Sequence, residues 1–217
     1  MYKESIQPKY FPTSKSIKYS STVHKKLQEV SIEEFERLTS LQYLYHLSFK
    51  DKAVYEKIKR LCKRGIQNNT ISKRAEWLGI RYRREILHGI VNDVYIQWIN
   101  NQMGFGLFAN TFLNKWDFIG EYTGVIRPCT YFFANVNEYC FRYPLYRIGY
   151  HVYTIDSQDC CNETSFINHS NNPNCESIVT FNNDILHVGI RTIRDIQKNE
   201  ELTIDYGNNM WGSMKDS

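Results

Sequence analysis

Short runs rich in β-branched and aromatic residues dominate the chain beyond residue 104. They occupy residues 118–126, 138–143, 150–156, 177–182 and 185–193. No helical pattern of comparable length alternates with them, which disfavours a parallel sheet. The last two runs are joined through residues 182–184 (NND), a sequence typical of a hairpin turn. This half of the chain is therefore predicted to form small antiparallel sheets.

The N-terminal half has a helical pattern instead. Ser31 and Glu34 fit a capping box ahead of apolar residues at helical spacing, which continue as far as Tyr45. Asp51 begins a second predicted helix that Gly65 ends, and a third begins at Ser72. We therefore predict an α+β protein with four parts: a mobile arm (1–22), a helical N-terminal extension (23–90), a β-rich domain (91–212) and a tail (213–217).

Composition limits the class of protein. A chain of 217 residues with 42% hydrophobic residues can bury one sizeable core. The chain has no run of about 18 apolar residues, so no membrane helix is predicted, and residues 1–22 do not resemble a secretory signal. The six cysteines include no Cys-x-x-Cys pair, so we expect reduced thiols, with neither a disulfide framework nor a zinc site.

Charge divides the chain into two unlike halves. Residues 1–90 hold 19 Lys or Arg and 9 Asp or Glu, whereas residues 91–217 hold 8 and 14. An acidic C-terminal half favours a cationic partner, such as a lysine-rich protein, because opposite charge raises encounter rates. Ordinary solvation of the surface explains the same imbalance equally well.

Five motifs follow one another along the C-terminal half. The first is GFGLFA at residues 104–109, after a strand-like run with apolar Val94, Ile96 and Trp98. FIGEYTG at 118–124 and YCF at 139–141 come next. FINHS at 166–170, continued by Pro173-Asn174, and EELTIDYG at 200–207 complete the series. Any one of these motifs alone is weak, since glycines mark many turns.

In this order, the motifs resemble the signature of SET-domain protein lysine methyltransferases over about residues 92–212. The resemblance implies a β-rich fold of small antiparallel sheets whose C-terminal segment threads under a loop in a knot-like arrangement. It also implies transfer of a methyl group from S-adenosylmethionine to a lysine, with S-adenosylhomocysteine as product. The substrate would be a lysine-rich protein.

The resemblance also implies a role for each matching residue. Tyr206 and Tyr122 would be catalytic and face each other at the methyl-transfer point. The cofactor would be bound by Gly104, Phe105, Gly106, Tyr139, Asn168 and His169. Phe141, Ile204 and Trp211 would line the substrate channel, with Trp211 in a tail that serves as a lid.

The sequence departs from the family pattern at several positions. Ser165 stands where an Arg commonly precedes the Asn-His pair and helps to brace the cofactor. No cysteine follows Cys175, and no cysteine cluster precedes the domain, so neither flanking zinc module is expected. Ile204 has no hydroxyl that could hold a water near the channel, which favours more than one round of methylation.

Residues 138–144 (EYCFRYP) and the helical extension most resemble the SET proteins of chlamydia-like intracellular bacteria. That resemblance implies a basic chromatin protein as substrate: host histones if the protein is exported, bacterial histone-like proteins if it stays in the bacterial cytoplasm. It also allows a homodimer formed through the helical half. The sequence does not choose the target lysine, the number of methyl groups, the oligomeric state or the compartment.

Two alternatives come from other functional classes. A catalytically silent SET-shaped binding module would account for Ser165. A chromatin or nucleic-acid adaptor would use the basic residues between 57 and 84, among which Trp77 and Tyr82 offer rings for stacking on bases. The polar faces of ordinary amphipathic helices explain the same basic residues without a ligand.

Overall fold

The computed structural model of the protein describes residues 15–20, 26–129, 136–145 and 152–207. Helices in this part are α1 (Ile32–Thr39), α2 (Lys52–Gln67), α3 (Lys73–Arg81), α4 (Arg83–Leu87) and a 3-10 helix (Glu163–Phe166). The strands are β1 (Ser16–Ser20), β2 (Gln28–Ser31), β3 (Gln42–Tyr43), β4 (Ser48–Phe49), β5 (Val94–Asn100), β6 (Gly104–Ala109), β7 (Phe118–Glu121), β8 (Val125–Pro128), β9 (Cys140–Arg142), β10 (Tyr153–Asp156), β11 (Cys160–Cys161), β12 (Asn168–His169), β13 (Cys175–Asn182), β14 (Ile185–Thr192) and β15 (Glu201–Ile204).

These strands form small sheets, as predicted for an α+β protein. The largest has the order β12-β15-β6-β5-β1-β2, and smaller sheets have the orders β4-β8-β10-β9, β13-β14-β7 and β11-β3. Most of the pairs are antiparallel, but β12 runs parallel to β15 and β1 runs parallel to β5. The last described strand, β15, therefore lies inside a sheet, between β12 and β6. The knot-like threading of this segment stays a prediction.

The predicted helix starts agree with the structure. Side-chain oxygens of Ser31, Asp51 and Ser72 each accept a hydrogen bond from the backbone N–H three residues later. Such caps satisfy N–H groups that a helix start leaves without a partner. The capping box is only half formed, because the Glu34 carboxylate pairs with Arg37 at 2.6 Å.

The predicted helix ends are less accurate. The first helix stops at Thr39, followed by Ser40 in the left-handed conformation, so the apolar positions from Leu41 to Tyr45 are not helical. There β3 pairs with β11, and this long-range pairing overrides the helical spacing. The second helix passes Gly65 and ends at Gln67, and Asn69 takes the positive φ that favours glycine.

The arm predicted over residues 1–22 is wrong for residues 16–20, which form β1. This strand pairs antiparallel with β2 and parallel with β5, which places it inside the largest sheet. Its alternating side chains Ile17 and Tyr19 are buried, at 1% and 6% exposure. The extension over residues 23–90 is thus not purely helical, since it contributes three further short strands.

The strand predictions agree better with the structure. Strands lie within or across each of the five predicted runs, and the turn between β13 and β14 places Asn183 and Asp184 at positive φ. Residues 104–109, the first motif, form β6 and pair with β5. Loop residues 101–103 precede it.

The core divides into two main clusters of buried side chains. One lies under the largest sheet and includes Ile96, Leu107 and Leu202. The other lies between α2 and the β8-β10-β9 strands and includes Ile126 and Tyr143. Tyr206 packs against both clusters, so the C-terminal motif lies where the two cores meet. No helix in the described ranges is long and apolar enough to cross a membrane.

Candidate functional site

A cavity of about 580 Å³ lies at this junction. Its walls come from the loop before β6, from the 3-10 helix and the strand after it, and from the end of β15. The lining residues are Leu41, Asn101, Gln102, Met103, Gly104, Phe105, Tyr122, Glu138, Tyr139, Ser157, Gln158, Cys161, Ser165, Phe166, Ile167, Asn168, Ile204 and Tyr206. The size is within the range of small-molecule sites in proteins.

Tyr206 stands on one wall with its hydroxyl fixed by the backbone. The O–H donates to the carbonyl of Ile167 at 2.7 Å, across 39 residues of sequence. Burial raises the pKa of Tyr206 to about 12, so the phenol is neutral at physiological pH. Because the hydroxyl proton is used in this bond, the oxygen lone pairs remain available to the cavity.

Tyr122 lines the same cavity from β7's end. Its hydroxyl donates to the carbonyl of Tyr139 at 3.1 Å, and its ring packs against Phe141 with 5.3 Å between centroids. Complete burial raises the pKa of Tyr122, which therefore stays protonated as well. Tyr122 and Tyr206 are thus neutral phenols of the cavity wall, each oriented by a backbone carbonyl.

Gly104 provides open backbone at the edge of the cavity. It has φ +73°, a conformation that favours glycine, and a Cβ at this position would meet no atom within 4 Å. Beside it, the Asn168 amide donates to the Phe105 carbonyl at 3.3 Å and to Glu201 Oε1 at 2.9 Å. Asn168 therefore ties β12 to β6 and β15, and Glu201 acts as a structural support.

Other predicted site residues lie outside the lining. His169 is exposed and its Nδ1 accepts from the backbone N–H of Tyr206 at 3.2 Å. Phe141 is buried in the second core behind Tyr122, and Gly106 faces Ile99 and Glu201 rather than open space. Their predicted roles stay predictions. Tyr139, 46% exposed, and buried Ile204 do line the cavity, whereas Trp211 lies outside the described residues.

The structure adds residues that the sequence did not indicate. Cys161 and Phe166 line the cavity from the segment around the 3-10 helix, beside Ser165, which the sequence had already singled out as a departure from the family pattern. Glu138 and Gln158 lie there too, as does Leu41 from the N-terminal extension. Proximity to FINHS and to YCF was an available signal for Phe166 and Glu138. Leu41 had none, because its wall position depends on the pairing of β3 with β11.

Glu138 is the one carboxylate among the described lining residues, and no lysine or arginine is among them. Five of the other lining residues are aromatic, and aromatic faces and phenol oxygens both attract a cation. No group of three or more His, Cys, Asp or Glu residues in the described ranges is arranged to hold a metal ion. The cavity therefore suits a positively charged organic ligand.

Comparison with known families and proteins gives a consistent picture. Residues 104–207 match the model of the SET domain, about half of the chain. The histone-lysine N-methyltransferase ATX2 of Arabidopsis thaliana is 36% identical over 110 residues, which are 48% of this chain and 10% of ATX2. An H3 lysine-36 specific histone-lysine N-methyltransferase of Schizosaccharomyces pombe is 32% identical over 122 residues, 54% of this chain and 15% of that enzyme.

Two solved structures of Polycomb Repressive Complex 2 have a similar fold. The Chaetomium thermophilum complex bound to GSK126 superimposes with a TM-score of 0.51 at 22% identity, covering 60% of this chain and 18% of that chain. ctPRC2 in an autoinhibited conformation bound to S-adenosylmethionine has a TM-score of 0.51 at 21% identity, covering 66% and 20%. At this identity the similarity concerns the fold.

Proposed function

We propose that the protein is an S-adenosylmethionine-dependent protein-lysine methyltransferase, because residues 104–207 match the model of the SET domain. The observation that carries the proposal is the meeting of Tyr206 and Tyr122 in one cavity with Gly104 and Asn168. The names of the two relatives, both histone-lysine N-methyltransferases, support a histone or histone-like substrate. The S-adenosylmethionine in one related structure supports the cofactor.

The cavity fits this cofactor on three counts. Its volume is sufficient, the open backbone at Gly104 permits close approach, and the lining residues that the structure describes include no cation to repel a sulfonium. Gly104, Phe105 and Asn168 would hold it. When bound, S-adenosylmethionine supplies a methyl group on a positively charged sulfur, and transfer to an amine leaves S-adenosylhomocysteine. Zinc has no part in this proposal.

The chain's own residues orient the amine. A free lysine has a pKa of about 10.4, and its ammonium must lose one proton to solvent before it can attack. Burial among Tyr122, Tyr206 and Ile204 disfavours the charged form and lowers that pKa. The two phenol oxygens can accept from the remaining amine N–H groups, because each phenol proton is directed at a carbonyl. Alignment of this kind supplies much of a rate enhancement.

The test is methyl transfer from isotope-labelled S-adenosylmethionine to histones and to bacterial histone-like proteins, with mass spectrometry of the products. Wild type should label lysine, and Tyr206→Phe should lower kcat by about 100-fold or more through loss of an oriented oxygen. Tyr82→Phe is the matched control, a buried tyrosine outside the cavity. Cofactor binding without transfer to any such substrate would favour the catalytically silent module.

We further propose the bacterial setting that the sequence implies. The protein would belong to a chlamydia-like intracellular bacterium, and would act either in that cytoplasm on histone-like proteins or, after export, in a host nucleus. A homodimer through the helical half is part of this proposal. Sedimentation of the full chain tests the dimer, and the substrate preference in the methylation assay distinguishes the two compartments.

A second candidate function is contact with nucleic acid through the basic helical segment, residues 57–84. The observation that favours it is that several exposed cations there have no ion-pair partner among the described residues. Lys63, Arg64, Arg83 and Arg84 are exposed and form no ion pair with any described residue. Trp77 is also exposed, with the Arg81 guanidinium 5.7 Å from its ring centroid. Contacts of this kind to phosphates weaken as salt is raised.

A further inference from the structure

Two phenylalanine rings form part of the cavity wall, and each packs against a further aromatic ring. Phe105 on β6 and Phe166 at the end of the 3-10 helix line the cavity, with 6.1 Å between their centroids and an edge-to-face angle of 86°. Neither ring is fully buried, since each presents surface to the cavity. What keeps these rings in place therefore affects the shape of the site.

The supporting rings come from the N-terminal extension, outside the SET match. Tyr19 on β1 lies 5.4 Å from Phe105, and Phe35 on α1 lies 6.2 Å from Phe166. Tyr19 and Phe35 also contact each other at 6.4 Å. The four aromatic rings close a circuit of contacts in which two members are buried and two face the cavity. Edge-to-face and tilted pairs at these distances are attractive.

Tyr19 is itself firmly placed. Its strand pairs in parallel with β5, with Tyr19 opposite Ile96, and β5 pairs with the strand that carries Phe105. Lys18 forms an ion pair with Asp93 at 2.5 Å next to it. The Tyr19 ring thus reaches Phe105 across two strand pairings of one sheet.

A second link joins the same two parts of the chain. Glu163, the first residue of the 3-10 helix, accepts a hydrogen bond from the Tyr43 hydroxyl at 2.7 Å and pairs with Lys15 at 3.2 Å. Lys15 also contacts the Tyr43 hydroxyl. All three side chains are largely buried. The helix they hold ends in Phe166, so the extension supports the wall at both of its phenylalanines.

From this arrangement we infer that Tyr19 is a positioning residue of the cofactor pocket, acting through Phe105, with Tyr43 supporting the Phe166 side through Glu163. This inference rests on the proposed function. It assigns Tyr19 and Tyr43 to the support of the site although both lie outside the matched domain. Neither Tyr19 nor Tyr43 lines the cavity, so each acts through another residue.

The chain offers a closely matched control in Tyr95. Like Tyr19 it is 6% exposed, lies in the largest sheet and has its ring 5.4 Å from a phenylalanine of β6, in this case Phe108. Neither Tyr95 nor Phe108 lines the cavity. Loss of either tyrosine ring removes a similar amount of packing, but only one loss affects a ring in the cavity wall.

The experiment compares full-length wild type, Tyr19→Leu and Tyr95→Leu by calorimetric titration with S-adenosylhomocysteine, alongside thermal unfolding without ligand. Both variants should lower Tm to a similar extent. Tyr19→Leu should weaken binding by about three- to tenfold, while Tyr95→Leu should stay within about twofold of wild type. If Tyr19→Leu does not fold, Tyr43→Phe is titrated, and a loss of about threefold is expected from removal of one hydrogen bond.

Equal affinities in wild type and Tyr19→Leu, or equal losses in both leucine variants, would contradict the positioning role. If Tyr43→Phe is the variant titrated, an affinity equal to that of wild type would contradict the positioning role as well. A wild-type protein that binds neither S-adenosylhomocysteine nor S-adenosylmethionine would instead contradict the proposed function. The two failures are therefore distinguishable in one series of titrations.

Discussion

The cavity and the basic helical segment contrast in how their polar groups are held. In the cavity, the hydroxyls of Tyr206 and Tyr122 donate to backbone carbonyls, and the Asn168 amide bridges two strands. In residues 57–84, exposed cations such as Lys63 and Arg84 have no ion-pair partner among the described residues. Fixed groups suit alignment of reacting atoms, whereas solvated charges suit long-range attraction. Each region can therefore be tested with a different kind of measurement.

The largest expected effect on stability concerns a contact between the helical segment and a sheet. A Cβ at Gly79 of α3 would lie 1.9 Å from the backbone oxygen of Phe181, so Gly79→Ala should cost about 3 kcal/mol. Gly104→Ala, at the cavity, meets open space and should cost only about 1 kcal/mol through its positive φ. Urea unfolding measures both. A larger cost at Gly104 would reverse this comparison of the two regions.

The pH dependence of methyl transfer tests whether Tyr206 and Tyr122 keep their protons in the working range of pH. Between pH 7 and 9, kcat/KM should rise by about tenfold per unit, because the fraction of neutral substrate lysine rises. The pKa of Tyr206 is about 12, and that of Tyr122 is also raised, so neither should deprotonate in this range. A falling limb below pH 9 would indicate that a protonated group of lower pKa is required.

The same pKa shifts predict the sign of a stability change. A buried phenol whose pKa is raised in the folded state keeps its proton longer than in the unfolded chain, where the pKa is about 10. The contribution of this phenol to the free energy of unfolding is complete below pH 10 and is lost as pH rises from there toward 12. Above pH 10, the free energy of unfolding of Tyr206→Phe should therefore depend less on pH than that of wild type. Unfolding followed by circular dichroism measures the difference.

Charge reversal sharpens the comparison from the side of the helical segment. Lys63→Glu combined with Arg64→Glu should reduce the affinity for duplex DNA by about tenfold and lower the slope of log Kd against log salt by about two. Methyl transfer to a short lysine peptide should stay within about twofold, because neither residue lines the cavity. Fluorescence anisotropy measures the first effect. DNA binding unchanged by the double variant would remove the adaptor role from this segment.

The smallest expected effect belongs to Glu138 at the cavity. Replacement by glutamine removes the one carboxylate of the described lining, and should lower kcat/KM for a lysine-rich peptide by about two- to fivefold at low salt. Glu56→Gln, an exposed carboxylate of α2 outside the cavity, is the control and should have no effect. If both variants behave alike, the attraction is a property of net charge rather than of the cavity.

Local signals were sufficient for some features of the fold. The caps at Ser31, Asp51 and Ser72 and the turn at Asn183 and Asp184 were predicted correctly, because each depends on hydrogen bonds or backbone angles within a few residues. Where a distant strand competes with local preference, prediction was wrong. Residues 16–20 and 42–43 became strands because β5 and β11 provide partners for them.

The residues of the candidate site also fall into two groups: those that the sequence indicated and those that only the fold brings there. The resemblance of the motifs to the SET family indicated Tyr122, Asn168, Ile204 and Tyr206, and the structure brings all four to one cavity. Leu41 and Cys161 belong to no motif, and their place at the cavity follows only from the fold. Contacts between residues far apart in sequence depend on strand order and register, which local patterns do not encode.

By itself, then, the sequence determined the order of the motifs, the helix starts and the residue types available for a cation-binding pocket. Tertiary structure alone decided that the Ile167 carbonyl meets the Tyr206 hydroxyl and that the Tyr19 ring supports Phe105. The physical reason is separation: these contacts join residues 39 and 86 positions apart, so they exist only after the sheets have paired.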